Sequence, residues 1–217
     1  MLPSDPTLAR PSDPRRAARR ARGDRWIVVG LFAVLAVIIV AQALLWRHDN
    51  APGPQGAAPP RWPAASRIAC APGRPTLVMF VHPRCPCTRA ALAELRTAMS
   101  ALEGRVAAHV LVARPEGVAA AWTRGDLWDS AASIPGVDVA EDPGEREASL
   151  FAAETSGQVV LYGADGALLF QGGITGGRGH VGDNDGRLGL VARVDAAAPQ
   201  VARAPVFGCG LFAEGTP

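Results

Sequence analysis

Residues 26–46, WIVVGLFAVLAVIIVAQALLW, hold no charged position and one polar side chain, Gln42. As a helix this run rises roughly 31 Å, enough for a bilayer core. Trp26 and Trp46 bracket it, as interfacial anchors do. Residues 47–65 are rich in Pro, Gly and Ala with almost nothing apolar to bury, which predicts an extended tether. From residue 66 the pattern becomes alternating. TLVMFV (76–81) predicts a short buried strand, and 88–104 predicts a helix with Ala91, Leu92, Leu95, Met99 and Leu102 on one face, closed by Gly104. A strand follows at 105–113, a helix at 117–134, a short strand within 136–142 and a helix at 144–155. Residues 158–173 predict two strands joined through Ala164-Asp165-Gly166, and 186–198 a last helix. This order predicts an α/β domain: a parallel-containing sheet with helices on its faces and an antiparallel hairpin.

Charge adds an orientation. All 22 basic residues are Arg, which reads as the codon usage of a GC-rich genome. Seven Arg against three Asp precede Trp26, whereas fifteen Arg face seventeen acids from Trp46 onward. The positive-inside rule therefore predicts a single-pass protein of the cytoplasmic membrane, N-terminus in the cytoplasm and main domain on the extracytoplasmic, periplasmic side. A cleavable signal peptide is the competitor, with Ala41-Gln42-Ala43 as its cleavage triplet; the apolar run continues through Leu44, Leu45 and Trp46, which favours an uncleaved anchor. The expected organisation is a leader (1–25), a transmembrane helix (26–46), a tether (47–65) and an exported domain (66–212). Nothing in the exported part predicts a nucleic-acid surface.

The candidate chemistry lies in FVHPRCPCTRAALAEL (80–95), where the first strand ends and a helix begins. Chemistry in open α/β sheets gathers at strand carboxyl ends and helix N-termini. Pro86 suits a first helical turn, leaving Cys85 at its lip, where unpaired N–H groups favour a thiolate. Arg84 and Arg89 push the same way. Cys85 is the candidate nucleophile and Cys87 its expected partner. An i,i+2 disulfide would be strained and so labile and oxidising. His82 stands beside the motif to tune it, and the alternative for Cys87 is an inward-packed apolar role.

FVHPRCPCTRA, with TSGQVVLYGADGALLFQGGIT and RGHVGDNDG, resembles the membrane-anchored thioredoxin-like RedB family across about residues 66–212. More distantly the layout resembles TlpA- and ResA-type thiol oxidoreductases and Sco-type copper chaperones. The resemblance implies a thioredoxin-like fold. Against the thioredoxin C-x-x-C motif, Cys85 occupies the first cysteine position and Thr88 the second, so the resolving cysteine is displaced to Cys87. Gly157 stands where such domains place a proline before the later strand.

The loop at 172–186 carries seven glycines. Its literal G-x-G-x-x-G, Gly177–Gly182, follows a hairpin and opens no helix after a parallel strand, which excludes a dinucleotide site. His180 in this loop is a candidate base or third metal ligand: two thiolates and one imidazole suit Cu(I), and Sco-type proteins use that set. Cys70 and Cys209 stand near the ends of the exported domain. The pairing that leaves Cys85 with Cys87 bridges Cys70 to Cys209; the rival gives Cys209 the part of a mobile resolving thiol. Glu94 and Glu103 are expected on a solvated helix face, Trp122 and Trp128 against the sheet, and His109 as a satisfied core residue.

The expected function is an exported, membrane-tethered thiol–disulfide oxidoreductase without a cofactor. Its partners would be exported protein thiols or disulfides, or a redox partner protein, with the bilayer met through 26–46. The alternatives are a Cu(I)-binding or copper-delivery module using Cys85, Cys87 and His180, and a non-catalytic docking domain.

Overall fold

The computed structural model describes residues 14–195 and 202–212. The first half of the expected leader and the end of the last expected helix, 196–198, lie outside them. The chain forms two units, Met1–His48 and Asp49–Pro217. In the first, helix α1 (Pro14–Asp49) contains a stretch, Arg25–Asp49, long and apolar enough to cross a membrane by length and composition. Its large apolar side chains are exposed all round. A helix apolar on every face has no aqueous solution to its burial problem, which is the signature of a membrane segment or a signal.

The second unit is built on one six-stranded sheet, order β3-β2-β1-β4-β5-β6. β1 (Thr76–Val81) pairs in parallel with β2 (Ala107–Arg114), and β2 in parallel with β3 (Val137–Pro143). On the other side β4 (Gln158–Tyr162) runs antiparallel to β1, and β5 (Leu168–Gly172) antiparallel to β4. The turn between them closes through Gly163 and Gly166, the latter at φ 75°. This is a thioredoxin-like sheet. An additional short strand, β6 (Ala202–Arg203), lies parallel to β5 at the edge; no alternation in the sequence marked it.

Every side chain of β1 is buried, because both faces of the strand are covered. Leu77, Met79 and Val81 point to one face, where Leu92, Leu95, Met99 and Leu102 of α2 (Thr88–Leu102) pack with Leu127 and Leu190. Val78 and Phe80 point to the other, with Leu111, Phe151, Val160 and Tyr162. Trp62 closes that face edge-on, its ring 5.1 Å from Phe151 and 5.3 Å from Tyr162. The period-two alternation of β1 thus serves two cores.

Two expected elements are shorter than their apolar pattern. The helix over 117–134 is broken into a 3-10 turn (Ala120–Thr123) and α3 (Asp126–Ala132), because Gly125 adopts φ 152° between them. Only Arg146–Leu150 of 144–155 is helical (α4); Ala152 is left-handed at φ 52° and ends it. The last helix, α5, spans Asp185–Asp195. α2 stops where expected, with Glu103 left-handed and Gly104 at φ 75°.

The tether expected over 47–65 needs correcting. From Asp49 the chain belongs to the sheet unit and lies along it. Gly53 N–H donates to Val206 O at 2.8 Å, the Thr155 hydroxyl to Pro54 O at 2.7 Å, and the Tyr162 hydroxyl to Pro59 O at 2.9 Å. Leu168 N–H donates to Pro60 O, and Arg61 bridges Ala167. Few apolar side chains are buried here, only Ala58 and part of Trp62, and the strap is held mainly by its backbone. Buried Gln171 clasps it, accepting from Ala58 N–H at 3.0 Å and donating to Gly56 O.

Gln171→Ala leaves buried backbone groups at 56–58 without partners, and is expected to cost about 1–3 kcal/mol in denaturant unfolding. Amide exchange over residues 53–61 should rise with it; unchanged protection there would show that the strap is held by something else.

Candidate functional site

β1 ends at Val81, and the chain then makes two linked turns before α2: Cys85 N–H donates to His82 O at 3.1 Å, and Thr88 N–H to Cys85 O at 3.1 Å. Cys87, at φ −67° and ψ −22°, is the residue that caps α2; Ala90 and Ala91 N–H donate to its carbonyl. Cys85 therefore precedes the helix instead of lying in its first turn, with Pro86 exposed between the cysteines. The Cys85 side chain is 1% exposed.

The sulfur nearest to Cys85 belongs to Cys209: the two Sγ atoms are 3.0 Å apart. The C-terminal segment reaches this point by running antiparallel to residues 154–156. Leu211 N–H donates to Glu154 O and Ser156 N–H to Cys209 O, each at 2.8 Å, and Thr155 bridges Gly210. Gly208 is required by this crossing, since a Cβ there would fall 2.0 Å from Ser156 O. Ser156 also binds the motif side: its hydroxyl accepts from His82 N–H at 2.8 Å and lies 2.9 Å from the Thr88 hydroxyl. Next to it Gly157, at φ 91°, donates to Phe80 O.

The bridge expected between Cys70 and Cys209 is not formed. Cys70 lies against Thr76 Oγ1 and Gly163 O at the amino end of β1, while Cys85 and Cys209 lie past its carboxyl end. Six strand residues separate the two ends by roughly 17 Å. A disulfide needs Cα atoms within about 7 Å. All four cysteines are free thiols in this structure.

Electrostatics separate the three clustered thiols. Burial pushes the Cys85 thiol up, but hydrogen bonds from the Cys209 side chain and backbone, the Thr88 hydroxyl and the Cys87 backbone outweigh it, and its pKa falls below the ordinary 9.0. Burial, then the hydrogen bond and charge of Cys85, push Cys209 up to about 12. Cys87 is raised by burial and by Cys85, against the pull of the Arg178 guanidinium. Cys85 is thus the sulfur that ionises first.

The arginines expected to activate Cys85 are engaged elsewhere. Arg84 lies over the Trp122 ring, 5.1 Å from its centre, and Arg89 pairs with Asp126. Trp122 also meets His82 edge-on at 5.4 Å, so it belongs to the site rather than to the sheet; Trp128 does pack on the core. His82 is held below its usual pKa by burial and then by Arg84. Its Nδ1 accepts from Arg84 N–H at 3.2 Å. A hollow of ≈ 310 Å³ opens beside the motif, lined by Pro83, Arg84, Cys85, Pro86, Arg89, Asp126 and Leu127.

The glycine-rich loop contributes Arg178, not His180. Arg178 donates to Gly208 O and acts on Cys87. His180 is exposed, with Nδ1 3.0 Å from Arg178 O, in a hollow with Asn50, Gly176 and Val181–Asp183. The Cu(I) ligand set of Cys85, Cys87 and His180 is not gathered: among the described residues no three His, Cys, Asp or Glu side chains are placed to hold a metal ion. The loop itself is anchored by Glu94, which is buried rather than solvated. Glu94 accepts from Gly182 N–H at 2.7 Å and pairs with Arg187 at 2.6 Å. His109 is half-buried in β2, its ring 3.9 Å from Asp138.

The sequence pointed to no role for Ser156 and placed Trp122 and Arg178 elsewhere, since nothing local ties the three to Cys85. The one signal was the glycine on each side of Cys209.

No family model matches the chain, and no curated protein matches it. Solved structures of similar fold include an uncharacterised conserved protein from Geobacillus kaustophilus, with TM-score 0.53 and 14% identity over 77% of this chain and 95% of that one. A hypothetical protein from Sinorhizobium meliloti 1021 has TM-score 0.50 and 20% identity over 76% and 96%. A secreted disulfide oxidoreductase of Mycobacterium tuberculosis, homologous to DsbE of E. coli, has TM-score 0.39 and 16% identity over 57% and 82%. These likenesses are of fold.

Two substitutions test the site. Cys209→Ala removes the leading donor to the Cys85 thiolate, so the first thiolate to form in an ultraviolet titration of the reduced chain should do so at higher pH than in the wild type. In the wild type, the stability that Cys209 contributes as a thiol is present below pH 9 and is lost as pH rises toward 12. Glu94→Ala leaves Arg187 without its buried carboxylate and frees Gly182; about 3–5 kcal/mol of stability should be lost in denaturant unfolding.

Proposed function

We propose that the chain is a membrane-tethered, extracytoplasmic thiol–disulfide oxidoreductase whose attacking sulfur is Cys85 of the Cys85-Pro86-Cys87 motif. One observation carries this reading: a thiol with a depressed pKa, at the carboxyl end of the central strand, in contact with a second thiol 3.0 Å away. Nucleophilic exchange needs a thiolate at ambient pH, a second sulfur close enough to close the couple, and access. The hollow lined by Pro83, Arg84, Arg89 and Cys85 itself supplies access. Trp122 gives the same edge an aromatic surface.

The partner is then an exported protein thiol or disulfide. The anchor reading follows from the apolar helix and the arginine asymmetry that precedes it, which together favour an N-terminus in the cytoplasm and the sheet unit outside.

In glutathione buffers the detergent-solubilised full-length chain should show one thiol pair that includes Cys85, with a midpoint between about −120 and −270 mV. Cys85→Ser should abolish that transition and the exchange with it. If Cys85 stays unpaired throughout this range, the oxidoreductase reading fails.

A further inference from the structure

Two thiols lie beside Cys85. Cys87 caps α2 and its side chain interacts with that of Cys85, but a bond between cysteines at i and i+2 closes a small, strained ring. Cys209 closes no such ring: its Sγ lies 3.0 Å from Cys85 Sγ, about 1 Å beyond a disulfide bond. The surrounding backbone is arranged to keep it there. Ser156 binds the Cys209 carbonyl through its N–H and the motif through its hydroxyl, Gly208 admits the close crossing, and Arg178 holds Gly208 O.

Resting on the oxidoreductase reading above, we propose that the exchanging couple is Cys85–Cys209, so that the resolving sulfur comes from the C-terminal segment and not from the motif. The Cys85 thiolate attacks one sulfur of a partner disulfide; a Cys85–partner S–S bond forms as the partner's own bond breaks, and the departing thiolate takes a proton from solvent. Cys209 gives its proton to solvent and attacks Cys85 Sγ. The Cys85–Cys209 bond forms, and the second partner thiolate leaves and is protonated. The partner gains two electrons and two protons, which the protein dithiol loses. Run backwards, the same couple oxidises a partner dithiol.

The two sulfurs that act on Cys85 come from different directions. Cys85 lines the hollow beside Pro83 and Arg89, and Cys209 lines no part of it. A partner held in the hollow leaves on one side while Cys209 attacks from another, as in-line displacement at sulfur requires. The raised pKa of Cys209 keeps it a proton donor to Cys85 until the mixed disulfide forms and the Cys85 charge is gone.

The test uses the full-length chain in detergent with oxidised glutathione, followed by acid quench, alkylation, trypsin and mass spectrometry without reduction. The expected product joins the peptide from Cys85 to Arg89 to the peptide starting at Ala204, with the alkyl group on Cys87. The cross-link should persist in Cys87→Ser and Cys70→Ser, and Cys70→Ser should exchange at the wild-type rate. In Cys209→Ser a Cys85–glutathione adduct should accumulate, with release of the second glutathione slowed on the order of 100-fold, as loss of an intramolecular nucleophile implies. A Cys85–Cys87 loop with alkylated Cys209, and a Cys209→Ser variant as fast as wild type, overturns this inference and leaves the oxidoreductase reading standing. Absence of any disulfide or glutathione adduct at Cys85 overturns both.

Discussion

The site depends on Ser156. Its N–H holds the Cys209 carbonyl, its hydroxyl accepts from His82 N–H and meets Thr88, and its neighbour Gly157 donates to Phe80 at the end of the central strand. One residue thereby fixes the turn that carries Cys85 and the segment that carries Cys209. Val206 and Leu211 bury the flanks of the Cys209 segment, but neither reaches Cys85. Backbone hydrogen bonds sheltered from water, each worth more there than at the surface, do the positioning.

The same economy shapes the thiol chemistry. Arginines close in sequence to Cys85 are drawn off by Trp122 and Asp126, and the thiolate is stabilised by hydrogen bonds instead of by a positive charge. Hydrogen bonds act at contact range and in a fixed direction, so they favour Cys85 over the two thiols beside it. A mobile guanidinium would favour all three. The one arginine that does act within the cluster, Arg178, arrives from the glycine-rich loop and moderates Cys87. That loop owes its position to buried Glu94 on α2. The helix that follows the motif therefore also places the loop that crosses over it.

The strap at 49–62 extends this logic to the edge of the domain. Gly53 binds Val206, Thr155 binds Pro54, and Gln171 joins the strap to β6 through Arg203. Residues 154–156, just before β4, meet both chains: Thr155 binds Pro54 of the strap, and Glu154 and Ser156 bind the Cys209 segment.

Periodicity in the sequence determined the apolar helix, the β1–α2–β2 unit, the β4–β5 hairpin and the place of the motif, because each follows from interactions between residues near one another in the chain. Leu77, Met79 and Val81 against Val78 and Phe80, or Leu92 and Leu95 on α2, are legible as alternation and helical spacing. Local pattern failed where backbone conformation intervened, at Gly125 and Ala152, and where the backbone itself was the binding group, as in the strap. Which sulfur meets Cys85 was decided only by tertiary structure. Cys87 is two residues away and Cys209 is 124 away, yet it is the crossing at Ser156 that brings the Cys209 sulfur to 3.0 Å from Cys85. Sequence distance sets the entropy of bringing two groups together, but direction at contact is set by the backbone that holds them.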